Sequence, residues 1–128
     1  MFYIYDCIFL IFIFFSPIIF LLRIISGKED PKRFLEKLCL YSSYRNINKT
    51  VWFHGASIGE ITSIIPIVEA LEKNKKIKKI LITSSTTSSA SVINKYKFKK
   101  TTHVFFPIDT NYLTNRFIRY WKPQIAII

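Results

Sequence analysis

A Rossmann-like α/β domain with a parallel sheet, preceded by an amino-terminal membrane helix, is the architecture this sequence predicts. Two patterns carry the prediction. From Val51 onward, short continuous apolar runs alternate with stretches whose apolar residues recur at every third and fourth position. The runs read as strands buried on both faces and the periodic stretches as the helices that cover them. Charge and hydrophobicity also occupy different parts of the chain. Its 128 residues carry 19 Lys+Arg against 8 Asp+Glu, a net charge of +11, while 50% are hydrophobic. Up to Leu22 the only charged side chain is Asp6, so the cationic excess lies wholly downstream.

Taken in order, Phe2–Leu22 (FYIYDCIFLIFIFFSPIIFLL) is long enough as a helix to cross a hydrocarbon core of ~30 Å. No Lys or Arg precedes it and no small-residue cleavage site follows, which argues against a cleaved signal peptide. Arg23, Lys28, Lys32, Arg33 and Lys37 come next, and cationic flanks of this kind stay in the cytoplasm. Residues 1–26 are therefore expected to be a signal anchor in the inner membrane, with the rest of the chain cytoplasmic. A helix lying in one leaflet is the alternative, given Pro17 and Asp6. Residues 27–50 are expected to form a basic amphipathic helix and a polar linker. Asp30 serves as N-cap, Pro31 enters the first turn, and Phe34, Leu35 and Leu38 share a face. The basic side of that helix suits either a membrane surface or plain solvent.

Residues 51–128 hold the α/β domain. Strands are expected at Val51–His54, Lys79–Thr83, His103–Phe106 and Gln124–Ile128, with helices at Gly59–Lys73, Thr86–Tyr96 and Thr110–Trp121. Alternation at this spacing implies right-handed crossovers in a parallel sheet. The chain stops inside the fourth strand, which reads as a truncated chain and an incomplete domain.

Ligands of such sheets sit beyond the carboxyl ends of the strands. Three loops meet that condition: His54–Glu60 (HGASIGE), Thr83–Ser89 (TSSTTSS) and Pro107–Asn111 (PIDTN). The lysine clusters at 73–79 and 95–100 follow the helices and belong to the opposite end, where helix C-termini favour cations. They read as solvated turns or as contacts to an anionic membrane. No interleaved aromatic platform accompanies them, so nucleic acid is not expected as a partner. Cys7 and Cys39 lack any metal-ligand spacing, so neither a zinc site nor a disulfide framework is expected. HGASIGE runs from strand to helix through Gly55 and Gly59. Glycines there permit a tight turn and close approach of a ligand to a helix N-terminus with free N–H groups. The segment matches neither a dinucleotide fingerprint, a P-loop nor a hydrolase elbow. Two roles stay open for Glu60. Ser57-x-x-Glu60 is a capping box, with the carboxylate reaching back to the N-cap N–H. The alternative is general base work, by a carboxylate within reach of an acceptor hydroxyl. His54 ends a strand, where a buried, hydrogen-bonded imidazole is the usual outcome. Asp109 reads as a turn or N-cap residue, and the hydroxyls of Thr83 to Thr87 either cap a helix or line a polar pocket.

These segments together resemble the amino-terminal half of the 3-deoxy-D-manno-octulosonic acid (Kdo) transferases. The resemblance runs through GKED, WFHGASIGE, ITSSTTSSA, FFPID and WKPQIAII in that order. His54, Ser57, Ile58, Gly59 and Glu60 satisfy the family string H-x-x-S-[VI]-G-E. A T-x-T-P-T-G-type stretch is kept only in part, with Thr87 and Ser89 at its proline and glycine. The resemblance implies the acceptor domain of a GT-B glycosyltransferase of lipopolysaccharide biosynthesis. It implies Glu60 as catalytic base, and His54, Gly55, Ser57 and Gly59 as acceptor-binding residues. It further implies a lipid A precursor as acceptor, CMP-Kdo as donor in a separate carboxyl-terminal domain, and no metal or other cofactor. Without that donor domain the chain alone would be an inactive half. A non-catalytic membrane-anchored α/β module is the alternative.

Overall fold

A computed structural model of the chain describes residues 2–27, 29–41 and 50–128, and within the first helix the side chains of residues 8, 10, 11 and 13–25. The elements are α1 (Phe2–Ile25), α2 (Phe34–Lys37), β1 (Thr50–Gly55), α3 (Ile58–Lys73), β2 (Lys79–Ser84), α4 (Thr87–Asn94), β3 (Thr101–Phe105), α5 (Asn111–Trp121) and β4 (Pro123–Ile127). The strands form one parallel sheet in the order β3-β2-β1-β4.

Two-residue periodicity divides the core. Val51, Phe53, Ile80 and Ile82 face one side, where Ile61 and Val68 of α3 and Ile93 of α4 complete a buried cluster. Trp52, Leu81 and Val104 face the other side, against Phe117 and Trp121 of α5 and Cys39. Strands buried on both faces are the reason the sequence shows continuous apolar runs rather than alternation. The three helices that follow β1, β2 and β3 are each capped by the preceding hydroxyl. Ser57, Thr86 and Thr110 accept from the N–H groups of Glu60, Ser89 and Leu113. Thr110, not Asp109, is therefore the N-cap of α5.

Direction reverses at β1. Two crossovers carry the chain from β1 to β2 to β3 on one side, and α5 then returns over the opposite face to set β4 against β1. The switch point thus lies between β1 and β4, and the His54–Glu60 loop leaves β1 there. β4 is the outer strand, with Ile125 and Ile127 exposed.

Two expectations for the amino-terminal part are corrected. Among the described residues no helix is long and apolar enough to cross a membrane, so the spanning anchor over 1–26 is not supported. The α1 side chains described are nevertheless largely exposed, among them Phe14, Leu22 and Ile25.

The basic amphipathic helix over 27–50 is also not formed as expected. α2 has four residues, and its N-cap position is Arg33 rather than Asp30. Asp30 instead accepts from the Lys32 N–H at 2.9 Å, an Asx turn. Two of the cations that would have made a basic face are paired, Arg33 with Glu36 and Lys37 with Glu29, which also holds Arg23 of α1. The segment crosses the free edge of β3, from Arg33 beside Thr87 and Ser91 of α4 to Cys39 in the α5-side core. It covers an edge that would otherwise offer unpaired backbone groups. Most of the expected linker, residues 42–49, lies outside the described residues.

Candidate active site

The five residues expected at the site, His54, Gly55, Ser57, Gly59 and Glu60, lie in a single strand-to-helix turn at the switch point. They do not play equal parts. Gly55 is buried, and a Cβ there would meet the Ile61 side chain at 2.7 Å and 3.0 Å and the Ile61 backbone nitrogen at 3.2 Å. Its requirement is the packing of α3 against β1, not access for a ligand. Gly59 is exposed, and a Cβ there would have only Ser57 Oγ, at 3.9 Å, for a neighbour. It keeps the first turn of α3 open to solvent.

The two glycines therefore predict opposite outcomes. Gly55→Ala is expected to destabilise the domain by about 1–3 kcal/mol through overpacking, read as a lowered urea midpoint. Gly59→Ala is expected to hold or raise that midpoint by up to about 1 kcal/mol, the helix-propensity gain of alanine. Equal losses at both positions would show that the open turn is itself packed.

Glu60 takes the capping role, through its carboxylate and through its own N–H. Its Oε2 accepts the Ala56 N–H at 2.8 Å, and its own N–H donates to Ser57 Oγ at 3.2 Å. The cap therefore reaches one residue further back than expected, to the residue before the N-cap. The Ala56 N–H bond, chiefly, holds the carboxyl below its ordinary pKa, with Ser57 and the nearby His54 acting in the same sense. The group is ionised at neutral pH and fully exposed. The carboxylate is thus anchored by the Ala56 N–H and by Ser57 while the side chain stands exposed at the start of α3.

His54 is half-buried. Its Nδ1 lies 2.9 Å from Thr83 Oγ1, which also accepts from Trp52 Nε1 at 2.9 Å. The ring packs 4.4 Å from the Phe106 ring, centroid to centroid. Burial lowers the imidazole pKa against the opposing pull of Glu60, so the ring is neutral at pH 7. Thr83 is the register partner of His54 across β1 and β2. Most hydroxyls of the second loop have structural duties. Thr83 serves Trp52 and His54, Ser84 meets His103, Thr86 caps α4, and Thr87 donates to the Gly27 carbonyl at 3.0 Å.

Sequence reasoning missed Phe106 as a neighbour of His54 and His103 as the partner of Ser84. Both appeared only as members of an apolar strand. His103 lies beside Ile82 and Phe105 beside Ser84 through the β2–β3 register, which no local spacing encodes.

Comparison with known proteins covers the α/β domain that holds this turn. A family model described as 3-Deoxy-D-manno-octulosonic-acid transferase (kdotransferase) matches residues 32–128. The 3-deoxy-D-manno-octulosonic acid transferase of Rickettsia bellii (strain RML369-C) is 32% identical over 110 residues, covering 86% of this chain and 26% of the relative. That of Rickettsia prowazekii (strain Madrid E) is 36% identical over 91 residues, covering 71% and 19%. A probable mitochondrial 3-deoxy-D-manno-octulosonic acid transferase of Arabidopsis thaliana is 34% identical over 116 residues, covering 88% and 26%. The chain spans 26% or less of the length of these relatives. No solved structure matches it.

Proposed function

The chain belongs to the Kdo transferase family, and from that premise we propose that it forms the acceptor-side domain of a GT-B enzyme transferring Kdo from CMP-Kdo to a lipid A precursor. The observation that carries the reading is the placement of Glu60 at the sheet's switch point, ionised, anchored by the Ala56 N–H and exposed. In the reaction, a glucosamine hydroxyl of the acceptor attacks the anomeric carbon of Kdo. Its proton passes to the Glu60 carboxylate, and the bond to the cytidylate phosphate breaks with its electron pair going to CMP. His54, Ser57 and Gly59 border the place where that hydroxyl would sit, while Gly55 supports it from beneath. The open N-terminus of α3 adds N–H groups suited to an anionic or sugar-hydroxyl ligand. The donor is assigned to the remainder of the full-length protein, as the family resemblance implies, and no metal or cofactor is required of the residues described.

Membrane contact belongs to the same proposal. The described apolar side chains of α1 are exposed around the helix, and Gly27 just beyond it touches Thr87 at the carboxyl end of the sheet. A helix seated in the cytoplasmic leaflet of the inner membrane would cover those side chains and bring a lipid-borne acceptor to the Glu60 end of the sheet.

The full-length protein, incubated with CMP-Kdo and a tetra-acylated lipid A precursor, is expected to release CMP and add Kdo to the lipid. Removing residues 1–26 is expected to abolish flotation with anionic vesicles. Absence of transfer by the folded, vesicle-bound full-length protein would refute the activity.

A further inference from the structure

Arg33 sits where the segment after α1, the edge strand β3 and the end of β2 meet. Its guanidinium donates from Nε to Glu36 Oε1 at 2.8 Å and from Nη2 to Glu36 Oε2 at 2.9 Å. Nη2 also donates to the His103 carbonyl at 2.9 Å and lies 3.2 Å from His103 Nδ1. The guanidinium carbon stands 4.8 Å from the centre of the Phe105 ring. Since a guanidinium has no acceptor, Nδ1 is the accepting nitrogen and the ring proton is on Nε2. That Nε2–H donates to Ser84 Oγ at 2.9 Å, and the Ser84 hydroxyl is directed at the Thr86 carbonyl, 3.4 Å away.

The same clamp takes up backbone groups of β3 and its following loop. Glu36 Oε2 accepts the Phe105 N–H at 3.0 Å, and the Lys37 carbonyl accepts the Ile108 N–H at 3.0 Å. Ser84, buried at the end of β2, passes its carbonyl to the Phe106 N–H at 2.9 Å. A line of hydrogen bonds therefore joins Arg33 to the loops after β2 and β3, on the β2 side of the Glu60 turn. Its links are charge-assisted at one end and buried at the other, where hydrogen bonds hold geometry best. The Nε and Nη2 groups of the guanidinium are both engaged by these partners.

We propose that Arg33 is a positioning residue, which through Glu36 and His103 locks the segment after α1 onto β3 and holds the 84–86 and 106–110 loops in place beside the candidate site. The proposal rests on the reading of the Glu60 turn as the acceptor site. It makes the membrane-proximal segment and the acceptor mouth a single unit, so that a disturbance of one reaches the other.

Amide hydrogen exchange at single residues in the full-length protein tests the linkage. Phe105 and Ile108 report the clamp directly. Phe106 and Ser89 report the loops, through their bonds to Ser84 O and Thr86 Oγ1. In Arg33→Gln, exchange is expected to rise about ten-fold at all four amides, the size that follows loss of a charge-assisted hydrogen bond. Arg33→Lys keeps the cation but not the fork. It is expected to give the same pattern at smaller amplitude, and it serves as the test should the Gln variant fail to fold. In transfer assays, KM for the lipid acceptor is expected to rise by about the same ten-fold factor while KM for CMP-Kdo stays unchanged. A rise confined to Phe105 and Ile108, with Phe106 and Ser89 at parental rates, would overturn the proposal. So would an unchanged acceptor KM. Failure of the unmutated protein to transfer Kdo would count against the Glu60 reading alone, since the exchange rates do not depend on it.

Discussion

Glu60→Gln is expected to reduce Kdo transfer by the full-length protein by about 10²–10⁴-fold, the usual worth of a general base, while the protein melts within a few degrees of its parent. The amide oxygen of glutamine can still accept the Ala56 N–H, and the Glu60 N–H to Ser57 Oγ bond belongs to the backbone, so both local bonds survive the substitution. What is lost is the basicity of the carboxylate. The group is fully exposed and solvent screens its charge, so little change in folding is expected. Steady-state turnover and a thermal melt of the same preparation decide the matter. Turnover within a few-fold of the parent would make Glu60 a cap and nothing more. A loss in KM for the acceptor without loss in kcat would make it a binding residue.

The second large effect concerns pH. His103 is buried against the Arg33 cation, and burial first and Arg33 second lower its pKa from 6.5 to about 4. In the unfolded chain the imidazole regains its ordinary value. As pH falls below 6.5 the unfolded state takes up a proton that the folded state refuses. The stability tied to neutral His103 is therefore complete above pH 6.5 and is lost on the way down to pH 4. The slope is about 1.4 kcal/mol per pH unit, and the whole is on the order of 3 kcal/mol. His54, also lowered by burial, acts in the same direction. Urea midpoints between pH 7.5 and 5 keep clear of most carboxylate titration. They are expected to fall with acidification in the parent and to fall less steeply, by one proton's worth, in His103→Gln. Glutamine can accept from Arg33 and donate to Ser84, so the variant retains the neutral-pH contacts. Parallel slopes in the two proteins would show that His103 titrates normally.

Much of the fold is legible in the sequence because its signals are local. The strand expected at Val51–His54 is Thr50–Gly55, and the helix expected at Gly59–Lys73 is Ile58–Lys73. Both follow from apolar runs and caps that residues a few positions apart supply. The turn from His54 to Glu60 was legible for the same reason, since a strand end, two glycines and a capping pattern are contiguous. Residues 27–41 were misread by that very logic. Phe34, Leu35 and Leu38 have helical spacing, but the segment's conformation is set by partners about 70 residues away, such as His103 and Phe105. Spacing reports which residues share a face and cannot report that an edge strand will claim a carboxylate.

Chain order and local chemistry alone determined the α/β alternation, the parallel sheet, the loop that carries Glu60 and the capping role of Ser57. The tertiary structure decided where that loop stands, because only the return of α5 across the opposite face places β4 beside β1 and makes their junction the switch point. It decided that Gly55 answers to Ile61 rather than to a ligand, since the clash arises from the closeness of α3 to β1. It also decided that Arg33, a surface cation by sequence, spends its charge on Glu36 and a buried histidine. Hydrogen bonds between distant segments depend on strand register and on which edge a segment crosses, and those quantities exist only once the chain has folded.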